Sequence, residues 1–226
     1  WSNQDGVMSS GEFHTSSVQS SSAGEYYLDV YRESATTNAD REVQFSIAYG
    51  HTKGSGSQQP QYATVGFSPS KAIYSQYANL LLAPGDSNFS LTNRSASLSS
   101  DLEQIHIVNI QRNRFKEKVD PANWELHISG AYQDTNVPSA DDERKIKLID
   151  DSSVSDGSIT EGGKVYKIVS GTIANGPAGT TPYTEYGLFY PDNGVLVLDS
   201  VGINGRVGLP INSQSFNYCA DPVSVH

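Results

Sequence analysis

The sequence predicts a mainly β fold, in which antiparallel sheets form a sandwich or a barrel-like body. Short segments alternate apolar and polar residues with the two-residue period of strands. The chain also contains 20 glycines and several Ser-rich runs, which favour turns, and 13 tyrosines, which favour strands. With 226 residues it is long enough to bury a sizeable core without disulfides or metals. We therefore expect one body domain over residues 25–200.

The first half of the chain predicts two strands and two loops. Apolar and polar residues alternate over residues 26–31 and again over residues 43–49. Residues 35–40 between them suit the loop of a hairpin. Residues 51–59 are rich in Gly, Ser and Gln, a composition that is typical of a loop because it offers little to bury.

One short α-helix is predicted over residues 69–82. Ser68 can cap its first turn, and Pro69 is tolerated at that position. The helix should end before Pro84, which cannot continue it. Its apolar residues recur at helical spacing and are Ile73, Tyr77, Leu80 and Leu81.

The second half predicts six more strands. They cover residues 105–110, 124–128, 146–149, 165–173, 186–190 and 195–198. The first of them is apolar on both alternating faces, which indicates burial on both sides. The turn Pro191-Asp192-Asn193-Gly194 separates the last two and is the clearest hairpin signal, because Asn and Gly accept positive φ. Residues 1–24 and 201–226 lack periodicity and are predicted to be extended terminal arms.

The net charge and the cysteine content limit the classes of function that the chain can have. A net charge of -10 and a pI of about 4.8 disfavour nucleic acid, whose phosphates require a basic surface. No apolar run approaches the ~20 residues that span a bilayer, and Cys219 has no second cysteine for an internal disulfide. The sequence begins at Trp1 and ends at His226 in the middle of its residue pattern. We therefore expect the chain to be a segment of a longer polypeptide or a processed product.

Patterns for catalysis and metal binding are sparse. The five histidines are scattered, although His106 and His127 could face each other from adjacent strands. There is no G-x-S-x-G elbow, P-loop or Cys-His arrangement. The best acidic cluster, Asp150, Asp151 and Asp156, is a weak calcium candidate, because the same residues suit a loop between strands. The sequence therefore predicts a protein that is not an enzyme and has no cofactor.

One basic segment is distinct in this acidic chain. Arg112, Arg114, Lys116 and Lys118 alternate along it, and Trp124 follows at the start of the next predicted strand. We expect these five residues to belong to a protein interface, in which an acidic surface docks on the cations and sets the register. A solvated strand end or a short helix is the competing interpretation.

Tyrosines offer a second kind of binding surface. Exposed aromatic rings on a sheet can stack on the rings of sugars. Two groups of tyrosines lie close in sequence: Tyr26, Tyr27 and Tyr31, and Tyr183, Tyr186 and Tyr190. The preference of aromatic residues for strands explains both groups without a ligand.

Five blocks carry a family resemblance. They are Ala72–Tyr77, Val108–Glu117, Leu148–Ser152, Val165–Gly171 and Tyr186–Pro191. In this order, over about residues 43–200, the chain resembles a family of virion structural proteins from contractile-tailed cyanophages and related marine myoviruses. The terminal regions, 1–24 and 202–226, lie outside the resemblance.

The resemblance implies a structural subunit of the bacteriophage tail or baseplate. Such a protein is located in the virion and is assembled in the cytoplasm of the host bacterium. Its partners would be other tail or baseplate subunits and copies of itself. The resemblance brings no catalytic residues. The alternative function is a host-surface, glycan-binding module of a tail fibre or attachment protein. A third possibility is a wall-degrading hydrolase with two acidic residues in a cleft.

Overall fold

The structure is a computed structural model that describes residues 14–15, 27–31, 42–54, 69–94, 98–129 and 145–207. The strands in these residues are β1 (His14–Thr15), β2 (Leu28–Tyr31), β3 (Val43–His51), β4 (Gln104–Ile110), β5 (Leu126–Ser129), β6 (Lys145–Asp150), β7 (Ser158–Thr160), β8 (Gly163–Thr172), β9 (Gly176–Pro177), β10 (Glu185–Tyr190) and β11 (Val195–Asp199). The helices are α1 (Pro69–Leu81) and α2 (Ser200–Val207), and a 3-10 turn covers Arg112–Arg114.

A single antiparallel sheet, curled into a half-barrel, forms the body. Its strands follow the order β1-β2-β3-β4-β11-β10-β8-β6-β5, and β7 and β9 pair with β8. The predicted fold class, mainly β with antiparallel pairing, is confirmed.

The strand directions define two ends of this sheet. At the end that we call the upper end, β4, β10 and β6 finish while β11, β8 and β5 begin. The register follows this arrangement: Val195 is opposite both Tyr190 and Asn109, and Asp150 is opposite Ile168. At the lower end β4, β10 and β6 begin.

The centre of the sheet is buried on both faces. Every residue of β11 is buried. Its valines pack on the same side as α1, whereas Leu196 and Leu198 pack on the other side. This double burial explains why the strand has no polar alternation before Asp199.

Helix α1 covers one face and holds a long loop. Ile73, Tyr77 and Leu81 recur at helical spacing and are buried against the sheet. The Tyr74 hydroxyl donates to the carbonyl of Leu102 at 2.7 Å and accepts the Phe89 N–H at 3.1 Å. Burial raises the pKa of Tyr74 to about 12. One tyrosine therefore fastens both sides of the loop that follows the helix.

Residues 111–125, which we call the cover segment, cross the other face from β4 in the centre to β5 at the edge. Phe115, Val119 and Trp124 of this segment pack on the core. The Val119 N–H donates to the carbonyl of Pro191 at 3.0 Å. Gly194 has φ +65°, and a Cβ there would lie 2.5 Å from the Phe115 ring, so the turn requires glycine.

Most predicted elements form, with three corrections. The helix is confirmed over Pro69–Leu81, although Leu80 is 52% exposed rather than packed. The predicted strand at 124–128 begins only at Leu126, because Trp124 belongs to the cover segment. The expectation of an extended tail from residue 201 is wrong for its first part, because α2 forms there and buries Ile203.

The predicted terminal arms lie mostly outside the described residues. From residues 1–24 the structure describes only His14–Thr15, which pair with the edge of β2. The predicted hairpin loop at 35–40, residues 55–59 of the polar loop and residues 208–226 also lie outside them.

Candidate functional site

Three predicted interface cations form an exposed group at the upper end of the sheet. Arg112, Lys116 and Lys118, which we call the cationic rim, are all exposed on the cover segment. The segment leaves β4 at its upper end and is bonded to the turn at Pro191. The cations therefore stand on a part of the chain that the core holds in place.

Arg112 and Arg114 differ although they belong to one 3-10 turn. The Arg112 guanidinium lies 4.5 Å from the centroid of the Phe115 ring and donates to the Phe115 carbonyl at 3.1 Å. Arg114 instead pairs with Glu42 and donates to the Val43 carbonyl at 3.4 Å. The interface prediction therefore keeps Arg112 as a surface group, whereas Arg114 ties the cover segment to β3.

Trp124 is a core contact. Its ring lies 5.2 Å from that of Phe189 in an edge-to-face arrangement. Its indole N–H is buried and has no hydrogen-bond partner among the residues that the structure describes. Trp124 is partly buried and anchors the end of the cover segment on the core.

The calcium candidate does not form a site in the structure. Asp150 is buried, and both of its carboxylate oxygens accept the Ala122 N–H, at 3.1 and 2.9 Å. Asp151 accepts the Lys167 N–H at 2.9 Å, and burial raises the pKa of its carboxyl group. Asp156 is exposed. Over the described part of the chain, no three His, Cys, Asp or Glu residues are grouped to hold a metal ion.

The carboxylate of Asp150 has a structural task. It receives the backbone of Ala122, which has φ 60°, and also accepts the Ser152 N–H at 3.0 Å. Asp150 therefore connects the cover segment to the loop after β6. The Asp150 oxygens accept backbone N–H groups, as side chains in loops commonly do. The acidic cluster is therefore explained by a loop rather than by a calcium site.

The structure contains a buried ion pair that no sequence pattern predicts. Arg94 donates Nε and Nη2 to the two oxygens of Asp199, both at 2.7 Å, and the side chains are only 6% and 1% exposed. Arg94 also donates to the carbonyls of Ser99 and Asp101. This bidentate pair fastens the loop after α1 to the end of β11.

The same carboxylate lies at the start of α2. A Cβ on Gly202 would come within 2.5 Å of Asp199 Oδ2, so glycine at this position permits the close approach. An anion at a helix N-terminus is favourable because it faces the positive end of the helix dipole. The only sequence signal for this arrangement was an acidic residue directly after an apolar strand.

Glu185 also holds the loop that follows α1. Its carboxylate accepts the N–H groups of Thr92 at 2.8 Å and Asn93 at 3.3 Å, and Lys167 lies 3.5 Å away. The Asn93 amide donates to the carbonyls of Pro182 and Tyr183. The buried and half-buried polar groups here therefore hold backbone in place.

The described histidines do not converge on one site. His106 lies on β4, with its ring 5.5 Å from that of Tyr49, and burial lowers its pKa to about 4. His127 lies on β5 and contacts Glu125 at 2.8 Å. Since four strands separate β4 from β5 in the sheet, the expectation that these two histidines face each other is wrong. His51 accepts the Lys53 N–H at 2.9 Å.

The two tyrosine groups do not form an exposed aromatic face. Tyr186 and Tyr190 are buried in the core, and Tyr27, Tyr31 and Tyr183 are half-buried. Tyr26 lies outside the described residues. The core thus explains the second group without a sugar ligand.

The remaining expectations concern membrane spans and similarity to known proteins. Of the two helices in the described ranges, neither combines the length and apolar character of a membrane span. No protein-family model, curated protein or solved structure matches the chain.

Proposed function

We propose that the chain is a structural subunit of a contractile-tailed phage virion, placed in the tail or baseplate, and that it works through contacts with neighbouring subunits. The observation that carries this proposal is the position of the five family-like blocks. They occupy α1, the end of β4 with the start of the cover segment, and parts of β6, β8 and β10. The resembling residues thus belong to one packed unit.

The distribution of polar groups supports an assembly role. The buried carboxylates of Asp150 and Asp199 bind backbone amides or an arginine of the same chain. The cations Arg112, Lys116 and Lys118 are exposed on the cover segment, which is bonded to the turn at Pro191. In a chain with net charge -10, such a local group gives a neighbouring acidic surface a defined docking position.

Immunogold labelling of intact purified particles tests the proposal. We expect an antibody against this chain to label the tail or its tip. Label along the fibres would favour the host-binding alternative. Absence of label on intact particles, together with absence of the chain from dissociated particles by mass spectrometry, would overturn the structural role.

A further inference from the structure

The chain contains three Asn-Gly pairs, and the fold places each in a different setting. They are Asn175-Gly176, Asn193-Gly194 and Asn204-Gly205, and all three lie in described residues. We propose that Asn175 is a site of spontaneous deamidation, in which the Gly176 nitrogen closes a succinimide ring, and that the fold protects the other two asparagines. This inference is independent of the proposed assembly function.

The reaction needs only the asparagine side chain, the next backbone nitrogen and water. After the Gly176 N–H loses its proton, the nitrogen attacks the side-chain carbonyl carbon of Asn175. A new N–C bond forms, the C–N bond of the amide breaks, and ammonia leaves with the proton that the backbone gave up. Water then opens the ring at either carbonyl, which gives aspartate or isoaspartate. Glycine favours the attack because it has no Cβ to restrict the backbone angles.

Asn175 lies exposed in the turn between β8 and β9. Its backbone N–H donates to the carbonyl of Thr172 at 3.3 Å and to the Thr172 hydroxyl at 3.2 Å. Its side-chain amide makes no hydrogen bond within the part of the chain that the structure describes. Outside the chain neighbours, the nearest atom to a Cβ placed on Gly176 would be Ser153 Oγ, at 3.9 Å. The surroundings of this turn therefore leave space for the ring to close.

The Gly176 nitrogen becomes available when the end of a short ladder opens. Strand β9 has two residues, and Gly176 is paired with Thr172 next to the turn. The following residue, Pro177, has no N–H to strengthen the ladder. Beyond it the Ala178 N–H donates to the carbonyl of Ser170 at 2.7 Å, so the strand stays attached while the turn opens. Such a local opening costs little free energy because few contacts are lost.

Asn193 is held by its side chain in the central hairpin. Its amide donates to the carbonyl of Gly162 at 2.5 Å. The Gly194 N–H donates to the carbonyl of Pro191 at 3.3 Å, and the paired strands β10 and β11 on both sides of the turn are buried. Attack on Asn193 therefore requires these hydrogen bonds to break within the best-packed part of the sheet.

Asn204 is protected by helix α2. It is only 4% exposed, and Gly205 lies inside the helix, which covers Ser200–Val207. In an α-helix each interior N–H is bonded to the carbonyl four residues earlier, so the Gly205 nitrogen already has a partner. Ring closure at Asn204 therefore requires local unfolding of α2.

Peptide mapping by mass spectrometry measures all three sites in one incubated sample of the full chain. We expect Asn175 to deamidate at least about tenfold faster than Asn193 and Asn204, because its reaction requires the smallest opening of the fold. The rate should rise with pH, since the Gly176 N–H loses a proton before the attack. Each event adds one negative charge, so ion-exchange chromatography should resolve the product. Asn175→Gln, which would have to close a larger ring, should remove this fast acidic product.

Incubation in guanidinium chloride, which unfolds the chain, is the matched control for the fold. The three pairs then share the same two reacting residues, and their rates should converge. A native chain in which Asn175 stays intact, or in which Asn193 or Asn204 reacts as fast as Asn175, would overturn the proposal. A difference of the same size in the unfolded chain would show that neighbouring residues, rather than the fold, set the rates, and would also contradict it.

Discussion

Arg94 and Arg112 carry the same guanidinium group in opposite settings. Arg94 is nearly buried and is matched by both oxygens of Asp199. Arg112 is exposed and rests on the Phe115 ring. Burial makes the first pair a part of the fold, because an unpaired charge inside the protein is costly. Exposure leaves the second cation able to meet a partner at little cost to its own fold.

The largest expected effect concerns the buried pair. Asp199→Ala leaves Arg94 buried without its partner, which should lower the free energy of unfolding by about 3–5 kcal/mol. Chemical denaturation measures this change. Glu103→Ala breaks the exposed pair with Lys53 and should cost at most about 1 kcal/mol. Equal losses in the two variants would remove the distinction between buried and exposed pairs.

The pH dependence of stability probes the same buried region. Burial lowers the pKa of His106 to about 4, so the folded state keeps this histidine neutral, whereas the unfolded chain binds a proton below about pH 6.5. Stability should therefore fall by on the order of 1 kcal/mol between pH 7 and pH 5.

Urea denaturation at the two pH values measures this fall, and His106→Gln should reduce it. The pKa of His51 is also lowered by desolvation, so the comparison is made between the variant and the wild type. An unchanged pH dependence in the variant would show that His106 does not cause the loss.

A smaller effect separates Arg114 from Arg112. Arg114→Ser removes the ion pair with Glu42 and the bond to the Val43 carbonyl, which should lower the free energy of unfolding by about 1 kcal/mol. Arg112→Ser should change it by less than about 0.5 kcal/mol. Thermal melts of the two single variants compare them directly, and a larger loss for Arg112 would reverse their assigned roles.

The smallest expected change in stability belongs to the rim as a whole. The triple substitution of Arg112, Lys116 and Lys118 by Ser should leave the melting temperature nearly unchanged, because these side chains are exposed. Incorporation into phage particles should nevertheless fall, as measured by quantitative immunoblotting of purified virions. Normal incorporation would contradict a docking role for the rim.

Sequence reasoning succeeded where neighbouring residues supply the signal. Helix α1 was predicted because Ser68, Pro69 and the apolar spacing act within a few turns of one another. The hairpin at Pro191-Asp192-Asn193-Gly194 is predicted for the same reason, and Gly194 takes the positive φ of the turn. The cationic segment is also evident in the sequence, but the difference between the half-buried Arg114 and the exposed Arg112 is not.

Long-range partners were beyond such reasoning. Arg94 and Asp199 are 105 positions apart in the sequence, and nothing local marks them as a pair. Helix α2 was missed because a Gly-rich segment has poor intrinsic helix propensity. The helix is stabilised by the burial of Ile203 and by the carboxylate of Asp199, which lies at its first turn. Asp150 was assigned to a possible metal because its backbone partner, Ala122, comes from another part of the chain.

The sequence by itself determined the mainly β class, the first helix, the central turn and the acidic character of the chain, because periodicity, turn chemistry and net charge are local or additive properties. Only the tertiary structure decided the strand order, the curling of the single sheet and the contacts that each charged side chain makes. That order depends on which apolar faces pack together, and packing also decides whether an arginine is buried beside a carboxylate or left at the surface.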